Sequence, residues 1–212
     1  TNVSSAGHVV AFPFGTPKPP TSSLPLAVNR TSKGPATVML ADDGSGTGSI
    51  AFAASGGTDL FVDVFGYYIH PDDLPPETVG NAYSPVTPCR TADTRPGMHF
   101  FGEWGPPKLQ ATQSRVFRFP GSCGVPYSIP HVSAVLANLT VTNTDGAGFI
   151  LTYATNTTPP GVSELDYLRG QTIATSSALR VSEDGKTSFH AGVNGTDLIV
   201  DVSGYFRDHM AT

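Results

Sequence analysis

The stretches "GGTDLFVDVFGYY" (Gly56–Tyr68) and "NGTDLIVDVSGYF" (Asn194–Phe206) decide the reading of the fold. In the first, Leu60, Val62 and Val64 fall on one side of an extended chain, and Asp59, Phe61 and Asp63 on the other. The second repeats this with Leu198, Val200 and Val202 against Asp197, Ile199 and Asp201. A period of two sustained over such a stretch is the signature of a β-strand. Further out, "SAVLANLTVTN" (Ser133–Asn143) alternates through Val135, Ala137, Leu139 and Val141. "SRVFRFPG" (Ser114–Gly121) flanks Val116 and Phe117 with arginines, while "HVVAFPF" (His8–Phe14) follows Gly7 and "GFILTYAT" (Gly148–Thr155) opens with Gly148. The 23 Gly and 19 Pro supply turns between these runs, and a charged fraction of only 14% leaves too little Lys, Glu and Arg to solvate amphipathic helices. The expected fold is all-β, with antiparallel sheets in a sandwich or barrel-like module.

The two deciding stretches belong to a longer internal duplication. "TNVSSAGHVV" (Thr1–Val10) aligns with "TNTDGAGFIL" (Thr142–Leu151) at an offset of 141, which also matches Pro19 with Pro160 and Leu24 with Leu165. After a length difference around "GSGTGS" (Gly44–Ser49), read as a hairpin tip, the final block matches at an offset of 138. Residues 1–70 then read as the C-terminal half of a first repeat module. Residues 71–80 read as a Pro-rich linker, and 81–208 as a complete second module. The segment from about 81 to 141 has one copy, so the first half-module lacks its counterpart within this sequence.

Several function classes are excluded at this level. The formal charge of −5 comes without a Lys/Arg stripe, so the chain has no footprint for nucleic acid. No apolar run is long enough for a membrane-spanning helix. Residues 1–7 lack the basic and apolar segments of a secretion signal, so any such signal is expected to have been removed or never present. The hydrophobic fraction of 39%, with 12 Phe and 7 Tyr, is too high for intrinsic disorder.

Chemistry is sparse. There is no G-x-S-x-G elbow, and His8, His70, His99, His131, His190 and His209 are scattered without metal-ligand spacing. No catalytic residue, metal or cofactor is expected. Asp59/Asp63 and Asp197/Asp201 recur in both copies, but strand carboxylates four apart lie ~13 Å from each other, wider than a glycosidase pair. Asp63 and Asp201 are read as structural carboxylates. They either accept backbone N–H bonds at the following turn or pair with arginine; a calcium site is the lesser reading. "PCRTADTRP" (Pro88–Pro96) places Asp93 between Arg90 and Arg95. That cluster reads as an ion-pair network, or alternatively as a site for a ligand carboxylate or sugar hydroxyl.

Cys89 and Cys123 suit one disulfide, with two buried free thiols as the alternative. Five of seven asparagines head N-x-Ser/Thr sequons: Asn2, Asn29, Asn138, Asn156 and Asn194. They read equally as candidate N-glycosylation sites or as Asn-containing turns. "MHFFGEWGPP" carries Phe100, Phe101 and Trp104, which serve either as an aromatic sugar platform or as a plug over the end of a sheet.

The order "YSPVTPCRTADTR", "CGVP", "AVLANLTVTN" and "TDLIVDVSGYF" resembles a repeat module of secreted bacterial proteins, found in tandem arrays or appended to extracellular hydrolases. The resemblance covers 81–208 as one module and 1–70 as half of another. It departs from the family at "SALR" (Ser177–Arg180) and "ATVM" (Ala36–Met39), where the module more often has an Asn-containing strand. It implies export, a β-rich fold and a Cys89–Cys123 bridge; the family carries no well-established activity to transfer. The expectation is a non-catalytic structural or adhesive module at the cell surface or outside the cell. A carbohydrate-binding module accompanying a secreted hydrolase is the alternative, and a hydrolase assembled across segments is the third class. A half-module with an open core face is expected to self-associate, a neighbouring copy adding strands head to tail and shielding Leu60, Val62 and Val64; the alternative is that both repeated segments pack on residues 81–141 as one pseudo-symmetric domain.

Overall fold

The computed structural model describes residues 1–41, 48–70, 73, 80–127 and 132–208. Most of the "GSGTGS" tip and of the 71–80 linker therefore lies outside the described residues, as do His131 and His209. The chain divides into two compact units, Thr1–Phe65 and Gly66–Thr212. Both are built of antiparallel strands, as the alternation requires.

Among the described residues of the second unit, eight strands form two four-stranded sheets. They are β4 (Asn81–Asp93), β5 (Gln113–Arg118), β6 (Val132–Thr142), β7 (Gly148–Ala154), β8 (Leu165–Tyr167), β9 (Ile173–Arg180), β10 (Lys186–Gly192) and β11 (Asp197–Asp208). One sheet has the order β5-β10-β7-β8 and the other β4-β11-β6-β9. A single buried cluster draws on both, with Phe117, Ile150, Leu165 and Phe189 from the first and Leu139, Leu179, Leu198 and Val200 from the second. This is a β-sandwich. β11 is an inner strand, and Leu198, Val200 and Val202 are all 0% exposed. Each such side chain contributes about 1.5–3 kcal/mol of burial. Pro85 and Pro88 sit in β4, an edge strand, where a missing N–H leaves no inner ladder broken.

The described residues of the first unit form one three-stranded sheet of β1 (Gly7–Pro13), β2 (Leu24–Leu26) and β3 (Ile50–Ala54), in the order β2-β1-β3. Its pairing mirrors the second unit: Gly7↔Leu26 and Val9↔Leu24 correspond to Gly148↔Tyr167 and Ile150↔Leu165, each residue 141 positions on. The β1–β3 register sets Ala11 against Phe52 as β7–β10 sets Thr152 against Phe189. Phe52 thus matches Phe189, and the following loop is one residue longer in the second unit. The buried cluster here is small: Val3, Val9 and Leu26, with Leu24 beside them.

The strand expected over Thr58–Tyr68 does not form. Residues 57–70 carry no strand, and Leu60, Val62 and Val64 are 42%, 55% and 83% exposed. The cause lies in pairing rather than propensity. β11, which has nearly the same sequence, is held between β4 and β6. Residues 32–39, which align with β9, also lack strand structure, and β9 pairs with β6. The strands of the first unit that form are those whose neighbours lie within residues 1–70.

Candidate functional site

The polar cluster on the second unit's outer face is assembled by a β-bulge. Between Val200↔Ala92 and Asp201↔Arg90 the register shifts, leaving Thr91 as an extra residue in β4. In a flat strand, residues three apart point to opposite faces. The bulge inverts the alternation, so Arg90 and Asp93 meet on one face.

Asp93 is fully buried and accepts four hydrogen bonds. Arg95 donates from Nε to Oδ1 (2.9 Å), from Nη2 to Oδ2 (2.7 Å) and from its backbone N to Oδ1 (3.2 Å), and Arg90 Nη1 donates to Oδ2 (3.1 Å). Arg90 also grips Asp201, with Nε to Oδ1 at 2.8 Å and Nη2 to Oδ2 at 3.2 Å. The order Arg95–Asp93–Arg90–Asp201 alternates in sign. Burial pushes the Asp93 carboxyl up, but the Arg95 hydrogen bonds, helped by the positive charges of Arg95 and Arg90, outweigh it and hold the acid below its ordinary value. The Asp201 hydrogen bond raises the Arg90 guanidinium against its own desolvation. Both carboxylates are gripped bidentately, so an incoming ligand carboxylate would have to displace Asp201 from Arg90. The cluster is chemically a clamp between β4 and β11.

Two further features brace it. The Cys89–Cys123 disulfide forms, with a Cα–Cα distance of 5.7 Å, and Thr91 Oγ1 lies 3.2 Å from Cys123 Sγ. Asp197 at the start of β11 accepts from Thr94 Oγ1 and Asn143 Nδ2, both at 2.9 Å, and Thr94 Oγ1 in turn accepts from the Leu198 N–H (2.9 Å). Asn143 repeats as Asn2 and Asp197 as Asp59, but nothing in the sequence joined them or Thr94 into one node.

The first unit has part of this arrangement. Asn2 Nδ2 donates to Asp59 Oδ2 (2.6 Å), as Asn143 does to Asp197. Thr58 Oγ1 donates to the Thr1 carbonyl (2.9 Å), as Thr196 does to Thr142 (3.0 Å). Thr1 and Asp59 exchange backbone bonds of 3.0 and 2.9 Å, the rung that Thr142 and Asp197 occupy in the second unit. Asp63 is exposed and, among the described residues, no arginine meets it as Arg90 meets Asp201.

The aromatic loop divides. Phe101 is 76% exposed, but Trp104 packs against the core cluster and its Nε1 donates to the Arg118 carbonyl (3.3 Å). Phe100 is half-buried. Arg115 gathers the loop by donating to the carbonyls of Gly102 (2.8 Å), Gly105 (2.6 Å) and Pro107. Of the sequon residues, Asn2, Asn29 and Asn156 have φ of 51°, 57° and 70°, the left-handed turn conformation that Asn tolerates. Asn138 is exposed on β6, and Asn194 Nδ2 donates to the Ala147 carbonyl (2.8 Å).

No family model matches the chain, and no curated protein does. Among the described residues, no group of three His, Cys, Asp or Glu gathers to hold a metal ion, and no helix is long and apolar enough to cross a membrane.

Proposed function

We propose that this chain is a non-catalytic structural β-module of an extracellular or cell-surface assembly, joined to other modules through strand addition. The observation that carries the reading is the contrast between β11, buried between two strands, and residues 58–69, the same pattern without neighbours. Leu60 to Ile69 place eight large apolar side chains at 42% exposure or more. Contiguous apolar surface of this kind marks an interaction site rather than an isolated exposed residue. The disulfide and the resemblance to secreted modules support export. The Arg–Asp clamp, in which each carboxylate is held bidentately, supports a structural role for the most polar cluster.

The test screens the full chain against soluble polysaccharides and a panel of hydrolase substrates, with the Trp104→Ala variant alongside. Neither saturable binding nor turnover is expected. Glycan binding lost in Trp104→Ala would replace the reading with a carbohydrate-binding module. Turnover abolished by substituting a carboxylate would replace it with a hydrolase.

A further inference from the structure

Residues 58–69 are a strand whose neighbours can be specified, because β11 shows what those neighbours look like. Three observations give the specification independently of apolar exposure. The first is charge: Asp201 is gripped by Arg90 from the β4 side, whereas Asp63 stands exposed in the same place of its own stretch. The second is shape. A Cβ built on Gly204 would collide with the Tyr83 ring, which lies over β11, donates to the Ser203 carbonyl (3.2 Å) and packs on Phe206 with ring centroids 5.3 Å apart. Gly66 aligns with Gly204, and among the described residues nothing lies within 4 Å of the same point there. The glycine leaves room for a ring that is not there. The third is the backbone: the Thr1–Asp59 rung matches the Thr142–Asp197 rung at the end of the β6–β11 ladder.

We propose that residues 58–69 are a docking strand for a polypeptide with the Asn81–Thr142 pattern, inserting between its β4-like and β6-like strands. This rests on the module reading above and names the partner. The partner brings an arginine for Asp63, a tyrosine over Gly66, and strand pairing for residues 60–69, which carry no strand beyond the Thr1–Asp59 rung. It must also have its slot vacant. An intact second copy does not qualify, because its slot is filled by its own β11, and exchanging one near-identical strand for another frees as much edge as it covers. Asp63 and Gly66 thus act as recognition positions, and the exposed valines supply the buried face.

The experiment lengthens the full chain by placing a second copy of residues 81–141 directly before Thr1, so that Thr1 takes the place of Thr142. Hydrogen exchange at residues 60–69 is expected to slow at least about a hundredfold relative to the unextended chain, approaching that of β11. Asp63→Arg in the lengthened chain is expected to reverse most of that protection. Changing the arginine of the added segment that corresponds to Arg90 to Asp should then restore it. Unchanged exchange at 60–69 in the lengthened chain overturns the proposal. So does a chain that, alone, forms oligomers with 60–69 protected, since the occupant is then a second copy. Neither result touches the glycan and substrate screens, which decide the non-catalytic reading separately.

Discussion

Arg90 on β4 holds Asp201 on β11 with two hydrogen bonds, 2.8 and 3.2 Å long, directly across the strand pair. The same guanidinium reaches Asp93 at 3.1 Å, so one side chain ties the edge strand to its neighbour and to its own bulge. Because Arg90 is 39% and Asp201 31% exposed, solvent screens their attraction.

The Arg90→Ala and Asp201→Ala changes are therefore expected to be non-additive. Asp201→Ala should cost about 1 kcal/mol and Arg90→Ala more, because it also takes a hydrogen bond from buried Asp93; the double variant should cost little more than Arg90→Ala alone. A double-mutant cycle by chemical denaturation checks this, and additive losses would mean that the clamp is not a unit.

Asp93 gives a pH signature. Its folded-state acidity is stronger than in the unfolded chain, so its contribution is fully present above the unfolded value of about 3.9 and disappears as pH falls toward its depressed folded value. Thermal midpoints should decline on acidification below about pH 4. Asp93→Asn should lower stability at pH 7 yet flatten that acid limb. An equally steep limb in the variant would assign the acid sensitivity elsewhere.

The disulfide closes a loop whose ends are 34 residues apart. Chain entropy alone puts its removal at roughly 3–4 kcal/mol. The Cys89→Ser/Cys123→Ser variant should lose that amount in the second unit's unfolding transition. Hydrogen exchange in the first unit's β1–β3 sheet reports whether the loss stays local, and uniform loosening of both units would contradict it.

Alternation was enough to read β6 and β11 from the sequence, because Val135 to Val141 and Leu198 to Val202 each line one side of an extended chain and period two survives any register. The bulge at Thr91 was not legible. An extra residue is defined only against its partner strand, so spacing alone would set Arg90 and Asp93 on opposite faces. The role of Trp104 was equally hidden, since it depends on the Arg118 carbonyl coming within reach of the indole N–H. Asn2, Asn29 and Asn156 show a different limit: a sequon and a left-handed turn ask for the same residue. At Thr58–Tyr68 the local signal is as strong as in β11, but a strand needs neighbours, and a sequence pattern cannot supply them.

Gly204 and Gly66 share a motif but not an environment. An alanine methyl at 204 meets the Tyr83 ring, while at 66 it meets open space. Gly204→Ala is expected to cost about 1–3 kcal/mol through overpacking and to shift Tyr83 off β11. Gly66→Ala should stay within about 0.5 kcal/mol of the parent. Denaturation curves for both, with tyrosine fluorescence for Tyr83, decide it; equal costs would mean that a ring covers Gly66 as well.

Val200 and Val62 carry the contrast into the core. Val200 is 0% exposed between the two sheets, and Val62 is 55% exposed with no strand beside it. Val200→Ala removes buried methyl groups and leaves a cavity, for an expected loss of about 2–3 kcal/mol. Val62→Ala removes the same atoms from a position already in water, so the chain should unfold within about 0.5 kcal/mol of the parent. The pair also separates folding from docking. In the chain lengthened by residues 81–141, Val62→Ala should acquire a cost approaching that of Val200→Ala, because the added strands bury it. If Val62→Ala stays silent in that chain while Val200→Ala remains costly, then residues 58–69 do not take the place that β11 occupies.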